Sequence, residues 1–219
     1  METKNLKLTG KLFLIVGPSG VGKGTVIALL KGKHPEFEYP ISVTTRDPRP
    51  GEKDGVVYHF VTRKKFEEMI KDKDLLEYAI VHNKEYYGTL KKPIIKALEK
   101  GKIVIREVDM QGCESILKVF PKENLVSIFL TVPNKQDLID RILKRGKLPE
   151  EEIKRRMQSA EKEFAKGGRI CDYQVPSLTG KVNECVKDVE RIINGESPSG
   201  KAPPSGGGTG GSNPSSPTN

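Results

Sequence analysis

"LFLIVGPSGVGKGT", Leu12 to Thr25, decides how this chain is read. An unbroken apolar run, Leu12 to Val16, meets a glycine-rich turn, and the helix-like stretch "TVIALLKG" follows at once. Such a run bounded by a turn reads as a buried strand, and the amphipathic stretch after it as a helix. Between them, Gly17-x4-Gly22-Lys23 has the form of a phosphate cradle. Glycines let the backbone point its N–H groups inward, the helix N-terminus adds partial positive charge, and the lysine reaches the outer phosphates. Gly17, Pro18, Ser19, Gly20, Val21, Gly22, Lys23, Gly24 and Thr25 are therefore assigned to a nucleoside triphosphate. The residue after the lysine is Gly24, where the strict pattern has Ser or Thr, so Thr25 is the next hydroxyl available to a Mg²⁺ shell.

Outward from this loop the same rhythm continues. "KIVIREV" and "LVSIFLTV" alternate with "KKPIIKALEKG" and "KQDLIDRILKRG", which predicts an α/β fold with a mainly parallel sheet flanked by helices. Two segments break the alternation. Residues 39–89 contain "ISVTTRDPRPGEKDGVVYHFVT" and then the helix-like "RKKFEEMIKDKDLL", a small excursion of short strands and one helix. Residues 141–156, in "RILKRGKLPEEEIKRRM", form a basic helical hairpin. The core is then residues 7–38 and 90–196 of a domain spanning 1–196, and both excursions leave it at strand ends, where α/β sheets bind ligands. From Ser197 to Asn219 the chain is almost entirely Ser, Gly, Pro, Thr and Asn, too poor in apolar surface to offset chain entropy, and is expected to be a disordered tail.

Composition narrows the function classes. A formal charge of +9 suits an acidic partner, but the chain has no Trp and no RNA-stacking motif, so the charge is assigned to a polyphosphate ligand and a lysine-rich surface, not to nucleic acid. Three widely spaced cysteines, with no C-x-x-C, argue against a disulfide framework or a zinc site and for a reducing compartment. The longest early apolar run is too short for a signal peptide or a membrane span, so the expectation is a cytoplasmic protein without membrane contact.

A second phosphate site is legible in "SVTTRDPRPGEKDGVVYHF". Arg46 and Arg49 flank a stiffening Pro48, and Tyr58 follows; two guanidinium forks and a phenol can grip a dianionic phosphate. A solvated basic turn is the plain alternative. The motifs "GPSGVGKGT", "SVTTRDPRPGE", "YHFV", "LLEYA", "YYGT", "EVDMQG" and "RGKLPEEEIKRRM" occur in the order and spacing of guanylate kinases, and the chain resembles that family from about Lys11 to Tyr173. The resemblance implies ATP as donor, with Mg²⁺, and GMP as acceptor. It implies that Arg46, Arg49, Tyr58 and Tyr87 hold the GMP phosphate and that Ser42, Glu77, Thr89 and Asp109 surround the guanine. It further implies that Arg145 and Arg156, with Arg141 beside them, come from a lid and clasp the ATP phosphates, with Lys23, as the catalytic cations. Three positions depart from the family pattern: Asp47 stands where a proline is common, Ser177 where an asparagine stands, and Arg106 where an aliphatic residue precedes "EVD".

The residue chemistry runs the same way. Glu77 follows two leucines, an odd place for a carboxylate, and can accept from both N1–H and the 2-amine of guanine. Adenine has a lone pair at N1 and no 2-amine, and would leave that charge unpaired. An exposed helix glutamate is the alternative. Asp109 ends the strand "KIVIREVD", the usual place for an acid near Mg²⁺ or ligand, with helix capping as the alternative, while Tyr86 is assigned to packing. His34, His59 and His82 are scattered, which suits phosphoryl transfer to an acceptor that is already anionic and needs no general base. No residue obviously reads a 2′-hydroxyl, so dGMP is expected as a further acceptor. The competing readings are a related kinase acting on another phosphorylated acceptor such as a ribose bisphosphate, a non-catalytic binding module, and a nucleic-acid-dependent ATPase. Whether the chain is a monomer or a homodimer is left open by the sequence.

Overall fold

The structure, a computed structural model, describes residues 7–81, 85–144 and 149–198. His82, Arg145 and the expected tail beyond residue 198 lie outside them. The opening apolar run is β1 (Lys11–Val16), and the segment headed by the loop lysine is α1 (Lys23–Lys33). A second group follows: β2 (Ser42–Thr44), β3 (Tyr58–Phe60), α2 (Arg63–Lys71), β4 (Leu75–Val81) and β5 (Glu85–Leu90). The chain then returns through α3 (Lys91–Glu99), β6 (Ile103–Glu107), α4 (Met110–Val119), β7 (Leu125–Thr131) and α5 (Lys135–Leu143). It ends with α6 (Glu150–Ile170), β8 (Tyr173–Pro176) and α7 (Val182–Ile193).

The first sheet has the order β6-β1-β7-β8 and is parallel throughout. β1 is central and buried on both faces, so its alternate side chains supply two cores. Phe13 and Ile15 pack with Val26 and Leu30 of α1, Leu138 and Ile142 of α5, and Val186 and Val189 of α7. Leu12, Leu14 and Val16 pack with Ile94 and Leu98 of α3 and Cys113 and Ile116 of α4. Helices on both faces of a parallel sheet are the arrangement expected of the apolar runs. The three thiols are free, yet folding brings Cys113 and Cys171 into hydrogen-bond contact that their sequence spacing conceals. Among the described residues no helix is long and apolar enough to cross a membrane.

α6 approaches the parallel sheet through a glycine. A Cβ on Gly167 would lie 2.4 Å from the ring of Phe129 on β7, so only a bare backbone fits at this spacing. Gly167→Ala is expected to overpack the contact and cost about 1–3 kcal/mol. A domain of this size should then lose roughly 3–10 °C in Tm, and an unchanged thermal midpoint would show that the helix can step back freely.

The second sheet has the order β3-β2-β5-β4. Its inner face is closed by Phe66 of α2, which packs with Val43 and Tyr86, so Tyr86 is a packing residue as expected. Thr62 caps α2 by accepting from the Lys65 N–H at 3.2 Å. The helix does not run through "DKDLL" as the sequence suggested. It stops at Lys71, Lys73 takes a left-handed turn (φ 58°), and Leu75 opens β4. The polar Asp72-Lys73-Asp74 turn outweighs the helical spacing of the following leucines, and "LLEYA" is strand.

Candidate active site

Register in the second sheet builds the first part of the site. Ser42 on β2 pairs with both Tyr58 on β3 and Thr89 on β5, and Thr89 pairs in turn with Glu77 on β4. Directly opposed residues share a face, so Tyr58, Ser42, Thr89 and Glu77 form one row across the four strands. Tyr87, two residues from Thr89, joins the same face. A bulge in β4 explains the odd company of Glu77. Leu75 pairs with Leu90 and Glu77 with Thr89, so Leu76 is the extra residue. Leu76 drops into the core beside α3 and α4, and Glu77 stays on the row. It is a half-buried strand carboxylate, not an exposed helix glutamate.

Ser42, Tyr58 and Glu77 of this row face a cleft of about 450 Å³ whose other wall is the end of β6 and the N-cap of α4, while Thr89 is fully buried and does not line it. Ser42, Tyr58, Glu77, Tyr87 and Asp109 line it, together with Lys23. Asp109 is the N-cap of α4, its side chain accepting from the Gly112 N–H at 2.6 Å, so it both caps a helix and lines the cleft. Burial pushes the Glu77 carboxyl up, its bond from the Thr89 hydroxyl and the nearby Arg106 charge pull it down, and Asp109 pushes it up again; the net direction is upward.

The glycine-rich loop builds the second part. Gly17, Gly20 and Gly22 all have positive φ (145°, 89° and 109°), a path that other residues rarely take, and Gly22 leads directly into α1. Lys23 Nζ donates to the carbonyls of Gly17 (2.6 Å) and Pro18 (3.2 Å) and lies 3.9 Å from Glu107. A second cleft of about 310 Å³ opens here, lined by the loop glycines, Ser19, Lys23, Glu107, Asp109 and Glu163. The two clefts share Lys23, Glu107 and Asp109. Thr25 is exposed on the first turn of α1 and lines neither.

The expected arginines are placed unevenly. Arg46 stacks 5.4 Å above the Tyr58 ring, meets the Tyr87 hydroxyl and pairs with Glu52 at 2.9 Å, beside the row. Arg49 is exposed, and its backbone N–H donates to Glu52. Arg141, at the end of α5, donates to the carbonyl of Val21 (2.9 Å) and to the carbonyl and hydroxyl of Ser177 (2.6 and 3.1 Å). It therefore ties the glycine loop to the end of β8. Arg156 on α6 pairs with Glu152 at 2.8 Å, and Arg145 lies outside the described residues.

Three residues of the site escaped the sequence. Glu107 stands at the junction of the clefts; its spacing of two from Asp109 at a strand end was the available signal. Glu163 reaches the loop from the middle of α6, where nothing local marks it, and burial pushes its carboxyl up against the opposing pull of Lys23. Arg106 was visible only as a departure from pattern, and it lies among the row residues.

Gly112 keeps the acids in place. A Cβ there would stand 3.0 Å from Glu77 Oε2 and 3.2 Å from Asp109 Oδ1. In a helix, Gly→Ala is ordinarily neutral or stabilising. Gly112→Ala is therefore expected to spare stability while raising the KM of whatever ligand this cleft binds about 3- to 20-fold; an unchanged KM would separate Glu77 from that ligand.

A family model described as guanylate kinase matches residues 9–196. The chain is 44% identical over 162 residues to a guanylate kinase of Nostoc sp., covering 74% of this chain and 80% of that protein. It is 40% identical over 188 residues to one from Carboxydothermus hydrogenoformans, covering 85% and 89%. The crystal structure of guanylate kinase from Anaplasma phagocytophilum superimposes with a TM-score of 0.65 at 24% identity, over 87% of each chain, which supports the fold.

Proposed function

The chain belongs to the guanylate kinase family, and from that premise we propose how its two clefts divide the reaction. The activity is phosphorylation of GMP by ATP, giving GDP and ADP. The observation that carries the division of labour is the shared wall of Lys23, Glu107 and Asp109 between the row-lined cleft and the loop-lined cleft.

GMP occupies the first cleft. Its base lies against Ser42 and Glu77, with Asp109 opposite and Thr89 acting through its bond to Glu77, and its phosphate is held by Arg46, Arg49, Tyr58 and Tyr87. dGMP is accepted in the same way, because the row contacts base and phosphate. ATP lies along the Gly17–Thr25 loop with its γ-phosphate toward Lys23. An oxygen of the GMP phosphate, already anionic at neutral pH, attacks the γ-phosphorus; that P–O bond forms as the bond to the ADP oxygen breaks, with no protein base required. Lys23 neutralises charge on the moving group, and Arg145, together with Arg156 of α6, adds to it when residues 141–156 close as a lid and exclude water. Arg141 holds the loop from behind.

The donor set at the junction fits a magnesium ion carried in on the ATP phosphates. Mg²⁺ prefers one or two carboxylates plus phosphate oxygens and waters; Glu107 and Glu163, which line the loop cleft, would supply them, whereas Thr25, exposed and outside both clefts, is not placed to join the shell. Among the described residues no group of three or more His, Cys, Asp or Glu could hold a metal ion, so most of the ion's ligands would be phosphate oxygens and water. When bound, the ion screens phosphate charge; the residues do the positioning. Product analysis of MgATP with GMP checks the reaction: equimolar ADP and GDP are expected, whereas inorganic phosphate in place of GDP would reduce the protein to an ATPase.

A further inference from the structure

Arg106 is the feature that neither the family pattern nor the reaction above uses. It projects from β6 between the two sheets and is only 8% exposed. Its Nε donates to Thr89 Oγ1 at 3.0 Å, its Nη1 to the Pro40 carbonyl at 2.8 Å, and its Nη2 to Ser42 Oγ. Thr89 in turn donates its hydroxyl proton to Glu77. A buried guanidinium thus contacts two residues of the row directly and a third through one hydroxyl. We infer that Arg106 is a positioning residue for base recognition, setting the hydrogen-bond polarity of the acceptor cleft so that it complements guanine. The inference rests on the assignment of that cleft to GMP.

The reasoning is an accounting of donors and acceptors. A guanidinium only donates. Because it donates to Thr89, the Thr89 hydrogen is committed to Glu77, which locks that carboxylate in position and orientation. Because it donates to Ser42, it takes up acceptor capacity of that hydroxyl and leaves its hydrogen for an acceptor on the ligand. Guanine presents an acceptor at O6 and donors at N1 and the 2-amine, the match for a donating Ser42 and an accepting Glu77. Adenine presents the opposite at each of the first two positions. The Arg106 charge also pulls the Glu77 carboxyl down against the upward push of burial and Asp109, and Arg106 is itself faced by Glu107 and Tyr58. An aliphatic residue at this point of β6 could supply neither the charge nor the polarity.

The test is steady-state kinetics of wild type, Arg106→Leu and Arg106→Lys with GMP, AMP and MgATP across pH 5.5–8.5, with thermal midpoints alongside. Arg106→Leu should raise the KM for GMP about 10- to 100-fold while kcat and the KM for ATP stay within about threefold. Its acid limb in kcat/KM for GMP should move to higher pH than in wild type, since Glu77 loses the charge that lowers its pKa; the phosphate of GMP titrates in both proteins and drops out of the comparison. Arg106→Lys, which keeps the charge but loses the fork, should recover part of the affinity and return the acid limb toward its wild-type position. If Arg106→Leu does not fold, Arg106→Lys carries the test, with a KM for GMP raised about 3- to 10-fold expected. An unchanged KM and pH profile, or a loss shared equally by GMP, ATP and kcat, overturns the inference. A wild type inactive on GMP would fail the functional reading and this inference with it, whereas an active wild type with indifferent Arg106 variants fails this inference alone.

Discussion

Lys23→Ala is expected to leave the fold intact and to lower kcat by about 100- to 10,000-fold. Lys23 Nζ contacts loop carbonyls and faces Glu107, and no apolar core depends on it. What the substitution removes is a cation at the one place where the two clefts meet. Charge moves between the nucleotides there during transfer, so the loss should fall on the reacting complex more than on either ground state. Thermal midpoint and kcat measured on the same preparation decide the matter. Near-normal turnover in a folded variant would remove the loop lysine from the mechanism.

Glu77→Gln is expected to lower kcat/KM for GMP by about 30- to 1000-fold, equivalent to roughly 2–4 kcal/mol. The substitution keeps the shape, exchanges a charged acceptor for a neutral one, and turns one oxygen into an amide donor. That amide would confront either the Thr89 hydroxyl, which now donates to Glu77, or a guanine N–H. The KM for ATP should hold, because the glycine loop lies on the other side of Lys23. A pH signature accompanies the loss. Burial raises the Glu77 pKa, and the proposed contact with guanine needs the ionised form, so wild-type kcat/KM for GMP should fall with decreasing pH through a Glu77 pKa shifted upward from its ordinary value. In Glu77→Gln that contribution to the acid limb should vanish. An unchanged GMP:AMP ratio in the variant would show that Glu77 does not read the base.

The parts of this molecule that depend on neighbouring residues were legible in the sequence. The β1 run, the glycine loop and α1 form one continuous signal, and the parallel sheet follows from repeated apolar runs between amphipathic stretches. The parts that depend on pairing were hidden. Tyr58, Ser42, Thr89 and Glu77 come from four strands and become a row only through register, and Glu77 reaches the row only because Leu76 bulges out of it. The helical spacing of Leu75 and Leu76 after "EEMI" carried the helix too far, since a left-handed Lys73 has no strong sequence signature. Arg141, expected beside the lid arginines, has partners Val21 and Ser177 that only the glycine loop and the end of β8 bring to it. Arg106 stood out as an oddity of pattern, but its partners lie on β2 and β5, too far along the chain for spacing to reveal them.

The most direct measurement is ADP release from MgATP with GMP, dGMP, AMP, UMP or no acceptor, followed on one preparation of the wild-type chain. If the row lining the first cleft reads guanine, as proposed, release should occur with GMP and dGMP, with kcat/KM for GMP exceeding that for AMP by roughly 1000-fold or more. Without acceptor, release should be slow. Equal release with AMP, or release that proceeds at full rate with no acceptor present, would contradict the account.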